Sequence, residues 1–354
     1  MPVARESSTR PPRITLRDVA ARAGVAMSTA SLVYSGKKPV AQATADKVRA
    51  AADELGYQGP DPLASSLRHG RSGVVGAVVP ARLIHAFRDP YAVLLCDGLA
   101  QSLSDLGSGL LLMPEPDDGD QPPGSSFAVD AVVFLLCSAE QHPLVPELAR
   151  RGIPMIATGS PIDPHVTQLS VDDRGASARL ARHLRDLGHQ RVGHVLMPLG
   201  QPGPTRVVDR ARVAAATYPI TRDRAYGVLD VLGDGVPMVC AETASVEHGR
   251  EAAGLLLDLD PRPTAIIAQS DLLAAGVIQA AAERGLRVPD DLSVTGYDGV
   301  ELPWLGHRLT TIDQHPVEKG RLAGDLVRRA LAGEHVTDVT MTVDLRVGDT
   351  TGPA

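Results

Sequence analysis

The first 57 residues contain three runs with the apolar spacing of short helices. In the first run, apolar side chains recur every three or four positions, at Leu16, Val19, Ala20 and Ala23. Gly24 follows at a point where a helix can end with a positive φ. A second run extends from about Met27 to Tyr34, and a third from about Thr44 to Leu55. The pattern predicts a small three-helix domain ahead of a much longer remainder.

The connection between the first two helices is short and contains a glycine. Thr15 can cap the first helix with its hydroxyl, and Asp18 places negative charge in the first turn, where the helix dipole favours it. After Gly24, only Val25 and Ala26 remain to form a tight turn. A helix, a glycine-containing turn and a second helix form the helix-turn-helix pattern. An ordinary three-helix cap on a larger domain has the same pattern, so both interpretations stay open at this point.

The second helix would turn Ala30 and Val33 inward and leave its opposite side free for DNA. The whole stretch resembles the DNA-binding headpiece of the lactose-repressor (LacI/GalR) family. The matching residues are Thr15-Leu16-x-Asp18-Val19-Ala20-x-x-Ala23-Gly24-Val25, Ser28-Thr29-x-Ser31 and Val48…Leu55-Gly56-Tyr57. The resemblance implies that DNA is contacted by Thr15, Met27, Ser28, Thr29, Ser31, Leu32, Thr44, Lys47 and Tyr57.

The resemblance continues into a short linker that reads Pro60, Asp61, Ala64, Leu67 and Arg68 after one inserted residue near Gly59. In the family, this linker forms a hinge helix that pairs with its partner in the minor groove. Ala64 and Leu67 are then the expected DNA contacts, with Leu67 as a wedge that opens a central base step. A flexible Pro/Gly linker is the alternative interpretation.

Four positions depart from the family pattern. Ala26 stands where the family usually has a serine before the recognition helix, and Leu32 replaces a usual arginine. Ala41 and Ala45 replace a serine and an arginine around the start of the third helix. Each change removes a polar or charged group that relatives direct at DNA. We therefore expect either an unusual operator sequence or weak DNA binding.

The charge is distributed unevenly along the chain. The formal net charge is −7, yet residues 1–72 carry 11 basic and 6 acidic side chains, and the rest carries 24 basic and 36 acidic ones. A basic head on an acidic body is typical of a protein that binds DNA through its head alone. The sequence predicts a disordered tail over 1–13, a headpiece over 14–58, a hinge over 59–72 and a core over 73–354.

From Gly73 onward, short apolar runs alternate with helical ones. Strands are predicted at Val74–Val79, Leu110–Met113, Val129–Leu136, Pro154–Ala157, Val192–Leu196, Met238–Cys240, Thr264–Ala268 and Leu292–Thr295. Helices are predicted at Tyr91–Leu106, Leu144–Arg151, around Ala176–Leu187, and at Arg224–Leu232, Val246–Leu257 and Asp271–Arg284. Alternating strands and helices indicate parallel sheets, and two series indicate two Rossmann-like α/β lobes with a ligand cleft between them. Residues 115–126 are predicted to form an acidic loop.

This body also resembles that of the LacI family, which shares its fold with periplasmic sugar-binding proteins. Matching residues include Val171-Asp172-Asp173-x-Gly175-Ala176, Arg224-x-x-Gly227, Asp271-x-x-Ala274-x-Gly276 and Gly296-Tyr297-Asp298. The resemblance implies an effector site with contributions from Tyr91, Ser160, Arg224, Ser270, Asp271 and Asp298.

Several of these residues have a second interpretation. Asp271 can bind ligand hydroxyls or act as a helix N-cap, and Arg224 can clamp a ligand or remain a solvated helix charge. Asp298 can belong to the ligand site or to the hinge. Ser270 replaces a usual asparagine, so the ligand can differ from those of relatives. Aromatic residues form only 3% of the chain, so a sugar-stacking surface has few candidates, chiefly Phe87, Tyr91 and Trp304.

Enzyme and metal chemistry find no support in the sequence. The eleven histidines form no metal-ligand spacing, and there is no Walker loop and no GxGxxG after a strand. Cys96, Cys137 and Cys240 are far apart and are predicted to be free thiols in a reducing compartment. No export signal and no run of 18 apolar residues is present, so we expect a cytoplasmic protein without cofactor.

The sequence therefore predicts a homodimeric transcriptional regulator, most simply a repressor, that binds a pseudo-palindromic double-stranded operator. A small molecule, expected to be a sugar or a related metabolite, would bind between the lobes and change operator affinity. The alternative is a ligand-binding regulator of the same fold whose DNA reading is weakened or lost. An α/β enzyme is a third, disfavoured class, because the catalytic motifs are missing.

Overall fold

The computed structural model describes residues 14–35, 38–59, 71–79, 83–115, 127–136, 138–200 and 203–354. The chain divides into two compact units, Met1–Ser72 and Gly73–Ala354. The predicted tail, the hinge residues Pro60, Asp61, Ala64, Leu67 and Arg68, most of the acidic loop and Cys137 lie outside the described residues.

The first unit is a bundle of three helices. They are α1 (Leu16–Ala23), α2 (Met27–Ser35) and α3 (Gln42–Leu55). Gly24 and Gly56 end α1 and α3 with φ of 66° and 68°, a conformation that glycine adopts without strain. The buried core consists of small side chains, Val19, Ala20, Ala30, Val48, Ala51 and Ala52. The small side chains let three short helices approach closely, which confirms the three-helix prediction.

The second unit begins with a lobe built on a six-stranded parallel sheet in the order β12-β5-β4-β3-β1-β2. Its strands are β1 (Val74–Val79), β2 (Gly109–Pro114), β3 (Ala131–Phe134), β4 (Met155–Ala157), β5 (Val166–Val171) and β12 (Val339–Met341). Its helices are α4 (Leu83–Ala86), α5 (Pro90–Leu106), α6 (Val145–Arg150) and α12 (Pro316–Leu331). Helices α5 and α12 approach closely at Gly98, where an added Cβ would lie 2.0 Å from the Val317 carbonyl oxygen.

The second lobe contains a five-stranded sheet in the order β10-β9-β6-β8-β7. Its strands are β6 (Val192–Leu196), β7 (Arg206–Val208), β8 (Met238–Cys240), β9 (Ala265–Ala268) and β10 (Ser293–Thr295). Its helices are α7 (Asp173–Asp186), α8 (Arg210–Ala214), α9 (Pro219–Leu232), α10 (Val246–Leu257) and α11 (Asp271–Glu283). Only β7 runs antiparallel to its neighbour among these described strands.

Three stretches of chain connect the lobes. The first leads from β5 into α7, and the second runs from β10 through β11 (Thr311–Asp313) into α12. The third leaves β12 and forms β13 (Asp344–Arg346), which pairs with β11 as an antiparallel ladder. Two lobes with largely parallel sheets and three connections confirm the predicted two-lobed α/β core.

Candidate effector cavity and DNA-binding surface

Helix α2 of the first unit presents most of its predicted DNA contacts away from the core. The Met27 side chain is 55% exposed, Ser28 is exposed, and Thr29, Ser31 and Leu32 are partly exposed. On the opposite side, Ala30 is fully buried and Val33 and Tyr34 pack on the core. The spacing of 3.6 residues per turn explains this division.

The remaining predicted contacts among the described residues lie at the start of α1, on α3 and just after α3. The Asp18 carboxylate accepts hydrogen bonds from the Thr15 N–H at 2.8 Å and from the Thr15 hydroxyl at 2.6 Å, which lowers the pKa of Asp18. Thr44 is partly exposed and Lys47 is exposed. Tyr57 packs edge-on against Tyr34 with ring centroids 5.6 Å apart, so this ring supports the core.

The departures from the family pattern have different structural settings. Ala41 occupies the N-cap of α3, and its side chain makes no capping hydrogen bond. The third helix begins at Gln42, two residues before the predicted Thr44, because the Ala41 carbonyl accepts from the N–H groups of Thr44 and Ala45. The Ala45 side chain is 6% exposed and belongs to the buried face of α3. A cap is thus absent at position 41, while position 45 is part of the core.

In the second unit, a cavity of about 420 Å³ lies between the lobes. Its walls come from many separate segments of both lobes. Predicted site residues on the wall are Tyr91, Arg224, Ser270 and Asp298, joined by polar residues that the sequence analysis did not single out, Asp89, Glu242, Ser245, Gln314 and Lys319. Trp304 also lines the cavity, whereas Phe87 is 63% exposed and does not.

A chain of hydrogen bonds crosses one wall of the cavity. Gln314 Nε2 donates to Asp298 Oδ1 at 3.0 Å, and Gln314 Oε1 accepts from the Tyr91 hydroxyl at 3.1 Å. The buried Lys319 ammonium lies 3.4 Å from the Tyr91 oxygen and 3.5 Å from Gln314 Oε1. Asp298 Oδ2 accepts from the backbone N–H of Asp271 at 3.2 Å. The wall therefore links helices α5 and α12 to the first residue of α11.

Arg224, which also lines the cavity, is held in a fixed position. Its Nε donates to Asp173 Oδ1 at 2.7 Å, and its Nη1 donates to the Gln269 carbonyl at 2.7 Å. The guanidinium carbon lies 3.6 Å from the centre of the Tyr297 ring, a cation–π contact. The Tyr297 hydroxyl donates to Asp173 at 3.0 Å. Arg224 is 4% exposed and is not the solvated helix charge that the sequence left open.

Two predicted ligand residues lie behind the wall. The fully buried Asp271 carboxylate accepts from the Val300 N–H at 2.8 Å and from the Thr311 hydroxyl at 2.7 Å. The alternative that Asp271 is an N-cap is wrong, because Ser270 caps α11 by accepting from Leu273 N–H at 3.2 Å. The Ser160 hydroxyl is also fully buried, and it accepts from the Ser138 N–H at 2.8 Å.

Three carboxyl groups in or behind this wall have raised pKa values. Burial raises the pKa of Asp89 and of Asp271 to about 6 each. Burial, and then repulsion from Asp271, raise the pKa of Asp298 well above its ordinary value. Asp298 also has φ 139°, a strained conformation for a residue with a side chain. Raised pKa values and strain concentrate where a ligand site is expected.

The residues that sequence reasoning missed have recognisable signals. Asp89 precedes Pro90 and caps α5 by accepting from the Tyr91 N–H at 2.9 Å, an arrangement typical of a helix start. Lys319 is a charged residue on the apolar face of α12, between Pro316 and Ala323. Gln314 directly follows the short strand β11. It reaches the cavity only because β11 lies in a connection between the lobes, which no local sequence pattern indicates.

The part of the chain that the structure describes gives no indication of a metal site, a disulfide or a membrane-spanning helix. No group of three or more His, Cys, Asp or Glu side chains is placed to hold a metal ion there. Cys96 and Cys240 are free thiols, and burial raises the pKa of both. Among the described helices, none has the length and apolar character needed to cross a membrane.

Known proteins with the same organisation identify the family. The family described as bacterial regulatory proteins, lacI family, matches residues 15–59, and the periplasmic binding protein-like domain matches residues 181–351. An HTH-type transcriptional regulator of Mycolicibacterium smegmatis is 36% identical over 98% of this chain and 99% of its own length. The chain belongs to the LacI family.

Further relatives agree with membership in the LacI family. The HTH-type transcriptional regulator IpsA of Corynebacterium glutamicum is 30% identical over 96% of this chain and 98% of its own length. The lac repressor dimer bound to operator and the anti-inducer ONPF is 23% identical, with a TM-score of 0.75 over 96% of this chain and 100% of that one. The protein is thus a transcriptional regulator with a DNA-binding domain and a ligand-binding domain.

Proposed function

We propose that this LacI-family protein is a repressor whose operator affinity is set by a sugar or a related metabolite bound between the lobes. The carrying observation is that the polar wall formed by Asp298, Gln314, Tyr91 and Lys319 lines the same cavity as the fixed guanidinium of Arg224. Two copies would bind a pseudo-palindromic operator, since two-fold protein symmetry requires two-fold DNA symmetry. Binding to operator DNA implies action in the cytoplasm.

The chemistry of the wall supports a ligand rich in hydroxyl groups. A hydroxyl both donates and accepts, so it can pair with the carboxyl groups of Asp89 and Asp298 and with the donors of Arg224 and Lys319. Trp304 and Tyr91 add ring surfaces against which the apolar face of a sugar can pack. A volume of about 420 Å³ suits a ligand of mono- or disaccharide size.

Regulation follows from the position of the wall residues. Asp298 and Gln314 lie on the second connection between the lobes, so a ligand that binds them contacts the segment that changes when the lobes rotate. A ligand shifts DNA affinity only by its preference for one lobe arrangement, typically about 1–3 kcal/mol. Inducer and corepressor action both satisfy this condition. The lac repressor, crystallised as a dimer on its operator with a small molecule, supports the same scheme.

A thermal-shift screen tests the ligand proposal. Pentoses, hexoses, disaccharides, nucleosides and small carboxylic acids would be added to the full-length protein. A ligand at 100 times its Kd stabilises the folded state by about 2.7 kcal/mol, which raises Tm by several degrees. Arg224→Met should abolish the shift, whereas Asp234→Ala, at an exposed position in the second lobe, should retain it. Stabilisation by acids alone would exclude a sugar.

A second candidate is a ligand-binding regulator with weakened DNA reading. The observations that favour it are the missing side-chain cap at Ala41 and the absence of charge along Met27–Ser35 of α2. Fluorescence anisotropy with a labelled duplex from the promoter of its own operon distinguishes the two. Sequence-selective, salt-dependent binding supports the repressor, and its absence with and without ligand supports the second candidate.

A further inference from the structure

The outward face of α2 has an unusual chemistry for a DNA-reading helix. The helix reads MSTASLVYS, and none of its side chains is charged or carries a carboxamide. Because the buried side holds Ala30, Val33 and Tyr34, the outward face consists of Met27, Ser28, Ser31 and Leu32, with Thr29 at its edge.

Leu32 is not among the described residues that pack on the core of the first unit. Val33 and Tyr34 of the same helix pack on the small core, whereas Leu32 does not contact it and is partly exposed. Met27 is 55% exposed on the first turn of α2. Two large apolar side chains of a short helix are thus presented to solvent, where they raise the free energy of the unbound state.

The donor and acceptor pattern of the major groove limits what such a face can read. Guanine is recognised by the paired donors of arginine or lysine, and adenine by the carboxamide of asparagine or glutamine. Helix α2 has none of these groups. Serine and threonine hydroxyls pair with any base and discriminate little, whereas apolar side chains contact the C5-methyl group of thymine.

We infer that α2 reads its operator through thymine methyl groups, which Met27 and Leu32 contact in the major groove. The inference rests on the proposed function, since it assumes that α2 enters the groove. The exposed cations on neighbouring helices, Arg17 on α1 and Lys47 on α3, then supply sequence-independent phosphate contacts. Sequence discrimination by α2 comes from shape and methyl packing, without a bidentate hydrogen bond.

The experiment begins with selection from a pool of duplexes with a randomised 20-base-pair core, using the full-length protein. The selected duplex is then synthesised with deoxyuridine in place of single thymidines, which removes only the methyl group. Burying one methyl contributes about fourfold in affinity, so replacement in both half-sites should weaken binding about fifteenfold. Cytosine and 5-methylcytosine differ only in the methyl group, so comparing these two bases at the same position tests whether the methyl itself is read.

Variants connect the methyl effect to individual side chains. Leu32→Ala and Met27→Ala should each bind the thymidine duplex more weakly, and each should lose its sensitivity to deoxyuridine at one position. Leu32→Arg should shift the selected sequence toward guanine at that position. Leu259→Ala, at an exposed leucine in the second unit, is the matched control and should keep the full methyl effect.

The outcomes separate the inference from the function on which it rests. A pool that yields no preferred sequence contradicts both the operator-binding function and methyl reading. A preferred operator that binds equally well with deoxyuridine at every thymidine contradicts methyl reading alone. A loss confined to one or two thymidines per half-site, and cancelled by Leu32→Ala or Met27→Ala, supports it.

Discussion

The first unit and the second unit present their functional residues in contrasting ways. In the first unit, the outward residues lie on one face of a single helix, above a core of two valines and four alanines. In the second unit, the candidate ligand residues come from both lobes and line a cavity with buried carboxyl groups at its wall. The outward face of α2 is exposed and uncharged, whereas the cavity is enclosed and charged.

The difference shows how core size limits what a functional surface can contain. A core of six small side chains contributes little hydrophobic stabilisation, so the first unit has little reserve against an unsatisfied buried group. The second unit buries large side chains throughout both lobes, and this offsets the burial of Asp271 and Asp298 with raised pKa values. Substitutions should therefore have separable effects on the two units.

The largest expected effect is that of Val48→Asp in the first unit. Val48 is fully buried, and an unpaired carboxylate there costs several kcal/mol, which exceeds what the small core supplies. We expect DNA affinity to fall at least a hundredfold, while the thermal transition of the second unit is unchanged. Fluorescence anisotropy measures the DNA affinity, and circular dichroism measures the thermal transition. The control Ala50→Asp changes an exposed position of the same helix and should keep the fold. An equal loss of DNA affinity in both variants would contradict the role given to the buried core.

The next largest effect distinguishes the two acidic residues of the second unit. Asp271→Ala leaves the Val300 N–H without its acceptor and the Thr311 hydroxyl with only the Ile312 carbonyl at 3.4 Å, which should destabilise the unit by about 2–4 kcal/mol in urea unfolding. Asp298→Asn removes a buried carboxyl with a raised pKa but keeps one of its two acceptor oxygens, so it should cost less stability near neutral pH than Asp271→Ala while weakening ligand binding. The reverse order of stabilities would contradict the structural role assigned to Asp271.

His194→Leu tests the buried polar groups of the second lobe. His194 lies in β6, its ring nitrogens have no hydrogen-bond partner among the described residues, and burial lowers its pKa to about 3. Leucine should stabilise the unit by about 1–3 kcal/mol at pH 7.5. Because the pKa is depressed in the folded state, the wild type loses stability as pH falls below about 6.5, and the variant lacks this loss. The difference in unfolding free energy should widen by about 1.4 kcal/mol at pH 5.5, and a constant difference would contradict the assignment.

The smallest effect is expected at the contact between the lobes beside the cavity. Glu140 of the first lobe donates its N–H to the Thr217 carbonyl at 3.0 Å and lies 3.3 Å from Arg222 of the second lobe. The ion pair is partly exposed, so Glu140→Ala should change unfolding free energy by only about 0.2–1 kcal/mol. Ligand affinity should change by up to about fivefold, because the contact favours one lobe arrangement. Asp234→Ala removes an ion pair within the second lobe and should leave ligand affinity unchanged.

The two units also differ in how far the sequence predicts them. In the first unit, helical periodicity assigns each residue to a face, so the outward and buried sides of α2 were predictable. The sequence did not show on which side of α3 Ala45 lies, because an alanine fits either the buried or the exposed side of a helix. In the second unit, strands β1 and β8 were predicted with their observed bounds, since buried parallel strands are continuous apolar runs. Strand β7 was missed because it is an antiparallel edge strand with an exposed Val207.

The cavity was less predictable than the fold. The sequence indicated Asp271 and Ser160, yet both side chains are fully buried with their oxygens bonded to neighbouring segments. Gln314 and Lys319 reach the wall only because the chain crosses between lobes before α12. Periodicity places a residue on a face of its own element, whereas a cavity wall depends on how distant segments meet.

The most direct test of the account is an anisotropy titration of the full-length protein against its selected operator, with and without the ligand found by thermal shift. We predict selective binding whose logarithm of affinity falls linearly with the logarithm of salt concentration. Saturating ligand should change that affinity by about 5- to 150-fold, and Arg224→Met should remove the change while leaving DNA binding in its absence intact. Operator affinity that is identical with and without bound ligand would contradict the proposed function.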